Sequence, residues 1–66
     1  MNLVINGEET QVCTPCTVLE LLRNLGKATT PCAVEVNGNV VTRRDHAERK
    51  LADGDRVELV TLVGGG

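Results

Sequence analysis

Apolar and polar positions along this chain change period twice, and each change marks a new element. Near the start Leu3 and Ile5 alternate with polar or smaller neighbours and then meet Asn6-Gly7. Both residues of an Asn-Gly pair can take positive φ, so the pair predicts a tight hairpin turn with a return strand from Glu9 to Val12 or Cys13. The helical period takes over at Thr17-Val18-Leu19-Glu20. This is a capping box: the Thr17 hydroxyl can accept from the Glu20 amide while the Glu20 carboxylate reaches back. Val18, Leu21, Leu22 and Leu25 follow at i, i+3, i+4 and i+7, the single apolar stripe of a packed helix, and Gly26 offers a left-handed stop. So short a helix is marginal in isolation and must lean on the hairpin.

The period of two returns in Cys32-Ala33-Val34-Glu35-Val36, after a loop containing Pro31. Asn37-Gly38-Asn39 turns this strand, and Val40-Val41 begins a short return. Residues 42–50 are polar and predict irregular chain with at most one helical turn, while Leu51 stands alone as an anchor for the core. Asp53-Gly54-Asp55 reads as a turn, its carboxylates acting as turn formers rather than as an acid pair. From Arg56 to Val63 a final strand places Val57 and Leu59 on one face. The expected fold is α+β, a mixed sheet of about five strands with one helix packed across one face. Residues 1–66 make a single domain.

At 66 residues a chain buries only ~60% of the surface its unfolded form exposes, so the core is small. Phe, Tyr and Trp are absent, which leaves the core to Leu, Val and Ile and excludes base stacking on aromatic rings. A net charge of -2 lacks the basic footprint of a nucleic-acid binder. The mixed run from Arg43 to Lys50 is balanced and reads as solvated surface, with docking to an acidic partner as its alternative. No stretch approaches the ~20 apolar residues of a membrane span, and Met1 to Asn6 has neither the basic start nor the apolar run of a signal peptide. The expectation is a cytoplasmic protein with reduced thiols at Cys13, Cys16 and Cys32.

Those cysteines are the first candidates for chemistry. Cys13-Thr14-Pro15-Cys16 is a C-x-x-C before a helix start, where the helix dipole would lower a thiol pKa. A thioredoxin-type motif needs a βαβ setting that this element order does not provide. A zinc site would need a fourth ligand, and His46 is the only histidine, at a spacing that matches no zinc finger. No motif places a nucleophile for His46 to activate. The reading of the thiols is small-residue packing, and no metal, cofactor or catalytic residue is expected.

The order of elements, ending in a strand that runs into terminal glycines, is similar to the β-grasp fold of ubiquitin-like proteins. Shortness, Asp53-Gly54-Asp55-Arg56-Val57 leading into the last strand, and the ending Leu62-Val63-Gly64-Gly65-Gly66 narrow this further. Together they resemble the ThiS family, sulfur carriers of thiazole (thiamine) biosynthesis, over the whole chain. The resemblance implies that an ATP-using, E1-like adenylyltransferase (ThiF-like) adenylates Gly66. Sulfur from a donor such as a cysteine desulfurase then replaces the adenylate, and a thiazole synthase (ThiG-like) takes sulfur from the resulting thiocarboxylate. Gly65 and Gly66 match the family's glycine pair; Gly64 is an additional glycine, and residues 64–66 are expected to form a flexible tail.

Such a tail has a physical rationale. A carboxylate is a poor electrophile, and a mixed anhydride with AMP can be attacked by sulfur. Glycines enter an enclosed site without side-chain clashes, and five extended residues from Leu62 reach ~17 Å. Ordering them costs ~1–2 kcal/mol per residue, so contacts on the globule must offset it. With Val57 and Leu59 turned toward the helix, Val60 and Leu62 are expected to point away from it. In a β-grasp the first strand lies beside the last, which would bring Val4 onto the same open face as part of an apolar docking patch. Two alternatives use a similar tail: the small subunit of molybdopterin synthase, a family whose members tend to be longer, and a protein modifier joined through Gly66 to lysine.

Overall fold

Two Asn-Gly turns shape the computed structural model of the chain, which describes residues 1–13 and 16–62. Asn6 (φ 50°) and Gly7 (φ 84°) join β1 (Asn2–Ile5) to β2 (Glu8–Gln11). Asn37 (φ 53°) and Gly38 (φ 83°) join β3 (Cys32–Val36) to β4 (Asn39–Val41). Positive φ at both central residues is the hairpin turn whose twist matches that of its strands. Each loop is only two residues long, so the return strands start earlier than the pattern suggested: Glu8 and Asn39 are already strand.

Between the hairpins lies α1 (Val18–Asn24), closed at its start by the expected capping box on Thr17 and Glu20. Val18, Leu21 and Leu22 are buried, but Leu25 is not; it is the C-cap and 39% exposed. The helix ends in a Schellman motif, with Gly26 N–H donating to the Arg23 carbonyl at 3.0 Å and Lys27 N–H to the Leu22 carbonyl at 2.7 Å. Gly26 takes φ 73°, and this reversal swings Leu25 out of the apolar stripe. Periodicity places Leu25 on the inner face, and the cap overrides it.

The last strand, β5 (Arg56–Thr61), lies in the middle of the sheet, whose order is β2-β1-β5-β3-β4. It runs parallel to β1 and antiparallel to β3, so the sheet is mixed. The strand stops at Thr61, so Leu62 lies beyond it although the pattern extended the strand to Val63, which itself falls outside the described residues. Leu3, Ile5, Val34, Val36, Val57 and Leu59 project from the sheet into one core with the inner face of α1, closed at the rim by Leu51. Residues 42–50 hold a single 3-10 turn (Arg43–Asp45) and cross the start of α1. There the His46 and Arg49 carbonyls accept from the Leu19 and Val18 amides at 2.9 and 3.0 Å, satisfying donors that a helix start leaves open. Among the described residues no helix is long and apolar enough to cross a membrane.

Candidate functional site

Because β5 is central, hydrogen bonds hold it on both flanks. The turn asparagines add a second layer. The Asn6 side chain accepts from Leu59 N–H at 2.8 Å and donates to the Leu59 carbonyl at 3.2 Å, continuing the ladder after β1 has turned away. Asn37 does the equivalent at the other end, accepting from Arg56 N–H at 2.9 Å and donating to the Asp55 carboxylate at 3.0 Å. Asp55 also accepts from Ala52 N–H at 2.8 Å. Burial pushes the Asp55 carboxyl up, but the Ala52 and Asn37 hydrogen bonds and the Arg49 charge outweigh it and hold it below its ordinary value. The final described bond on this path is Leu62 N–H to the Pro31 carbonyl at 2.9 Å.

Alternation along β5 buries Val57 and Leu59 beneath the helix and leaves Arg56, Glu58 and Val60 exposed on the opposite side. Val60 is 58% exposed and stands across from Ala33; Glu58 stands across from Glu35, which in turn faces Val40 at 71% exposure. The three residues expected to form one docking patch are thus not contiguous. Val4 is half-buried and opposite Arg56, four positions along β5 from Val60, or ~13 Å at strand rise. Leu62, 56% exposed, does not continue onto the open face. It follows the last strand residue, where alternation lapses, and borders a groove of about 350 Å³ on the helix side with Leu19, Leu22, Pro31, Cys32 and His46. The residue that does stand beside Val60 is Ala33, which the expected patch omits; the parity of β3, with Val34 and Val36 inward, marks Ala33 as outward.

The thiols are spread out. Cys13 is exposed, Cys32 is half-buried on the groove and Cys16 is buried. Burial, then the Glu20 charge and Cys13, push the Cys16 thiol up, the reverse of the lowering expected at a helix start. Desolvation is the largest of these causes. Within the run read as solvated surface, His46 is an exception at 7% exposure, its Nε2 donating to the Val41 carbonyl at 3.2 Å. Among the described residues, no three His, Cys, Asp or Glu side chains converge as metal ligands. Gly64, Gly65 and Gly66 lie outside the described residues.

A five-stranded mixed sheet with one helix across it, and the last strand at its centre between the two hairpins, defines a β-grasp protein of the ubiquitin-like type. The model of the ThiS family matches residues 2–66. The chain belongs to the ThiS family. It is 30% identical over 66 residues to the sulfur carrier protein ThiS of Escherichia coli, covering 100% of both chains. It is 37% identical to the thiamine biosynthesis protein ThiS of Geobacter metallireducens, whose crystal structure superposes with a TM-score of 0.83 over 100% of both chains. It is also 42% identical over 66 residues to a thiazole synthase of Paramagnetospirillum magneticum, where it spans all of this chain but only 20% of that protein.

Proposed function

We propose that the chain is a cytoplasmic, non-enzymatic sulfur carrier of thiamine biosynthesis that works through the carboxylate of Gly66. The observation that carries this reading is the full-length match to the Escherichia coli sulfur carrier, which runs to the terminal glycine of this chain. An E1-like, ATP-using adenylyltransferase joins that carboxylate to AMP, releasing pyrophosphate. The outer sulfur of a persulfide on a donor such as a cysteine desulfurase then attacks the acyl carbon and AMP departs. A thiol cleaves the resulting acyl disulfide, forming a disulfide with the donor cysteine and leaving the thiocarboxylate. Thiazole synthase is the acceptor enzyme, a link supported by the thiazole synthase whose sequence contains a segment similar to this chain.

The chain's own contribution is delivery. β5, braced by Asn6 and Asn37, sets where the tail leaves the globule, and residues 63–66 then reach ~14 Å when extended. Val60, with Ala33, offers apolar surface on the open face near the end of β5, Val40 adds to it one row back on β4, and Leu62 offers it on the helix side. Val4 extends the open face at its far end. Contact with these surfaces offsets the ordering of a glycine tail.

Intact-mass analysis after incubation with ATP, the adenylyltransferase and a sulfur donor tests the reading. The expected change is exchange of one oxygen for sulfur, confined to the C-terminal peptide and lost when Gly66 is deleted or extended. Equal loading of a chain with residues added after Gly66 would refute it.

A further inference from the structure

The open face of the sheet carries a charge arrangement that the free protein does not need. β3 and β5 pair so that Glu35 stands directly across from Glu58, and both are exposed. Directly opposed side chains sit ~5 Å apart, where like charges destabilise a sheet. The cationic strand residue of this face, Arg56, lies two positions before Glu58 along β5 and stands across from Val4 on the β1 side. Apolar side chains frame the two carboxylates. Val40 lies across from Glu35, while Val60 and Ala33 face each other in the next row toward the end of β5. Among the described strands, no such opposed pair of like charges recurs in the other registers.

We propose that Glu35 and Glu58 together receive one arginine of the enzyme that adenylates the tail, while apolar side chains beside that arginine cover Val60, Ala33 and Val40. This rests on the reading of the chain as a carrier that docks through its open face. A guanidinium is planar, weakly hydrated and forked, so it can bridge two carboxylates that an ammonium could meet only one at a time. Its arrival turns a repulsive pair into an attractive cluster. One cation against two carboxylates also leaves residual negative charge, which steers the encounter from a distance. The adenylating enzyme fits as occupant for two reasons. It must gather ATP phosphates beside a carboxylate terminus, so the surface around that site is cation-rich. Moreover, β5 carries Glu58 and Val60 and is the last element before residues 63–66, so this row lies close in sequence to the carboxylate that the enzyme must reach.

The test replaces Glu35→Gln and Glu58→Gln, singly and together, in the full chain. Each variant is melted and then titrated against the ThiF-like adenylyltransferase at low and high salt. The expected result has opposite signs. Each single change raises the melting temperature by about 1–4 °C as repulsion is relieved. Each also weakens binding about tenfold and flattens its salt dependence. A variant that loses stability and affinity together marks a structural role and overturns the proposal. So does unchanged affinity in the double variant, or a loss seen only against thiazole synthase. Val60→Thr, which alters no charge, separates two kinds of failure. If it weakens binding while the glutamine variants do not, the docking face stands and the arginine contact falls. If none of the three weakens binding, the docking face itself is refuted.

Discussion

Substituting the same residue type at adjacent positions of β5 separates docking from folding. Val60→Thr keeps the β-branched shape and the net charge, and its site is 58% exposed on the open face across from Ala33. Only the exchange of a methyl for a hydroxyl is tested. On the free protein that change faces water and shifts stability by ~0.5 kcal/mol or less. Under a partner the hydroxyl is desolvated without a bond, costing ~1–3 kcal/mol, or about tenfold in affinity at its middle. Leu59→Thr makes a similar change one residue earlier, at a buried position packed in the core with Val34 and Val57. There the loss of buried side-chain volume costs ~3–5 kcal/mol. A 66-residue domain has ~3–10 kcal/mol of stability in all, so Leu59→Thr should drop the melting temperature by ~15 °C or more, or unfold the chain. The assay is a thermal melt of each variant followed by a calorimetric titration with the adenylyltransferase. A Val60→Thr protein that melts early places Val60 in the core and refutes the assigned register. One that melts normally and binds normally removes Val60 from the docking surface.

Three further outcomes follow from the same geometry. Asn6→Gly preserves the turn but removes both side-chain bonds to Leu59, so chemical denaturation should show a loss of ~1–3 kcal/mol; an unchanged midpoint means that those bonds carry no net stability. The Asp55 carboxyl is held below its ordinary value of 3.8, so its contribution is fully present above that pH and is lost as pH falls through the lower folded-state pKa. Asp55→Asn should therefore flatten the acid limb of a pH-stability curve, and an identical acid limb in the variant removes Asp55 from the linkage. Replacing Cys13, Cys16 and Cys32 by Ala should leave sulfur loading of the C-terminal peptide intact; lost loading in a protein that still folds would assign the thiols a chemical role.

Much of the fold was legible because the local signals are independent of distant chain. Thr17 and Glu20 carry their cap within four consecutive residues, and Asn-Gly sets φ at both hairpins without outside help. The places where the pattern misleads are those decided by tertiary context. Leu25 obeys helical period yet is displaced by the Schellman motif that Gly26 completes. His46 sits in a charged run, and only the position of the Val41 carbonyl explains its burial. Cys16 has the address of an activated thiol, but desolvation dominates once α1 packs on the sheet. The candidate patch divides for a similar reason. Alternation orders side chains only while the strand lasts, so it holds for Val60 and lapses at Leu62. Parallel pairing of β1 with the start of β5 then sets Val4 beside Arg56 rather than beside Val60.

The two turn asparagines link stability to delivery. Hairpin geometry alone would accept glycine or aspartate at the first turn position, since each tolerates positive φ there. Asparagine offers a donor and an acceptor on one planar group, and here both are used. Asn6 reproduces a strand's pair of bonds at Leu59, and Asn37 reaches Arg56 and Asp55, so side chains brace β5 near both ends. β5 lies between β1 and β3, so movement of either hairpin would otherwise shift it. A carrier that presents Val60 to a partner while passing the following residues into that partner's site needs a fixed spacing between the two. Val60 lies one residue before the end of β5, so the braces that keep that strand from sliding in its sheet also fix the point from which the following residues start. Aspartate at position 6 would keep the acceptor for Leu59 N–H but set a carboxylate against the Leu59 carbonyl, so the bracing argument predicts that Asn6→Asp loosens β5 more than Asn6→Gly does. Amide hydrogen exchange at Leu62, whose N–H donates to the Pro31 carbonyl and not to Asn6, reads this directly, and equal protection in the two variants would show that the backbone ladder alone holds the strand.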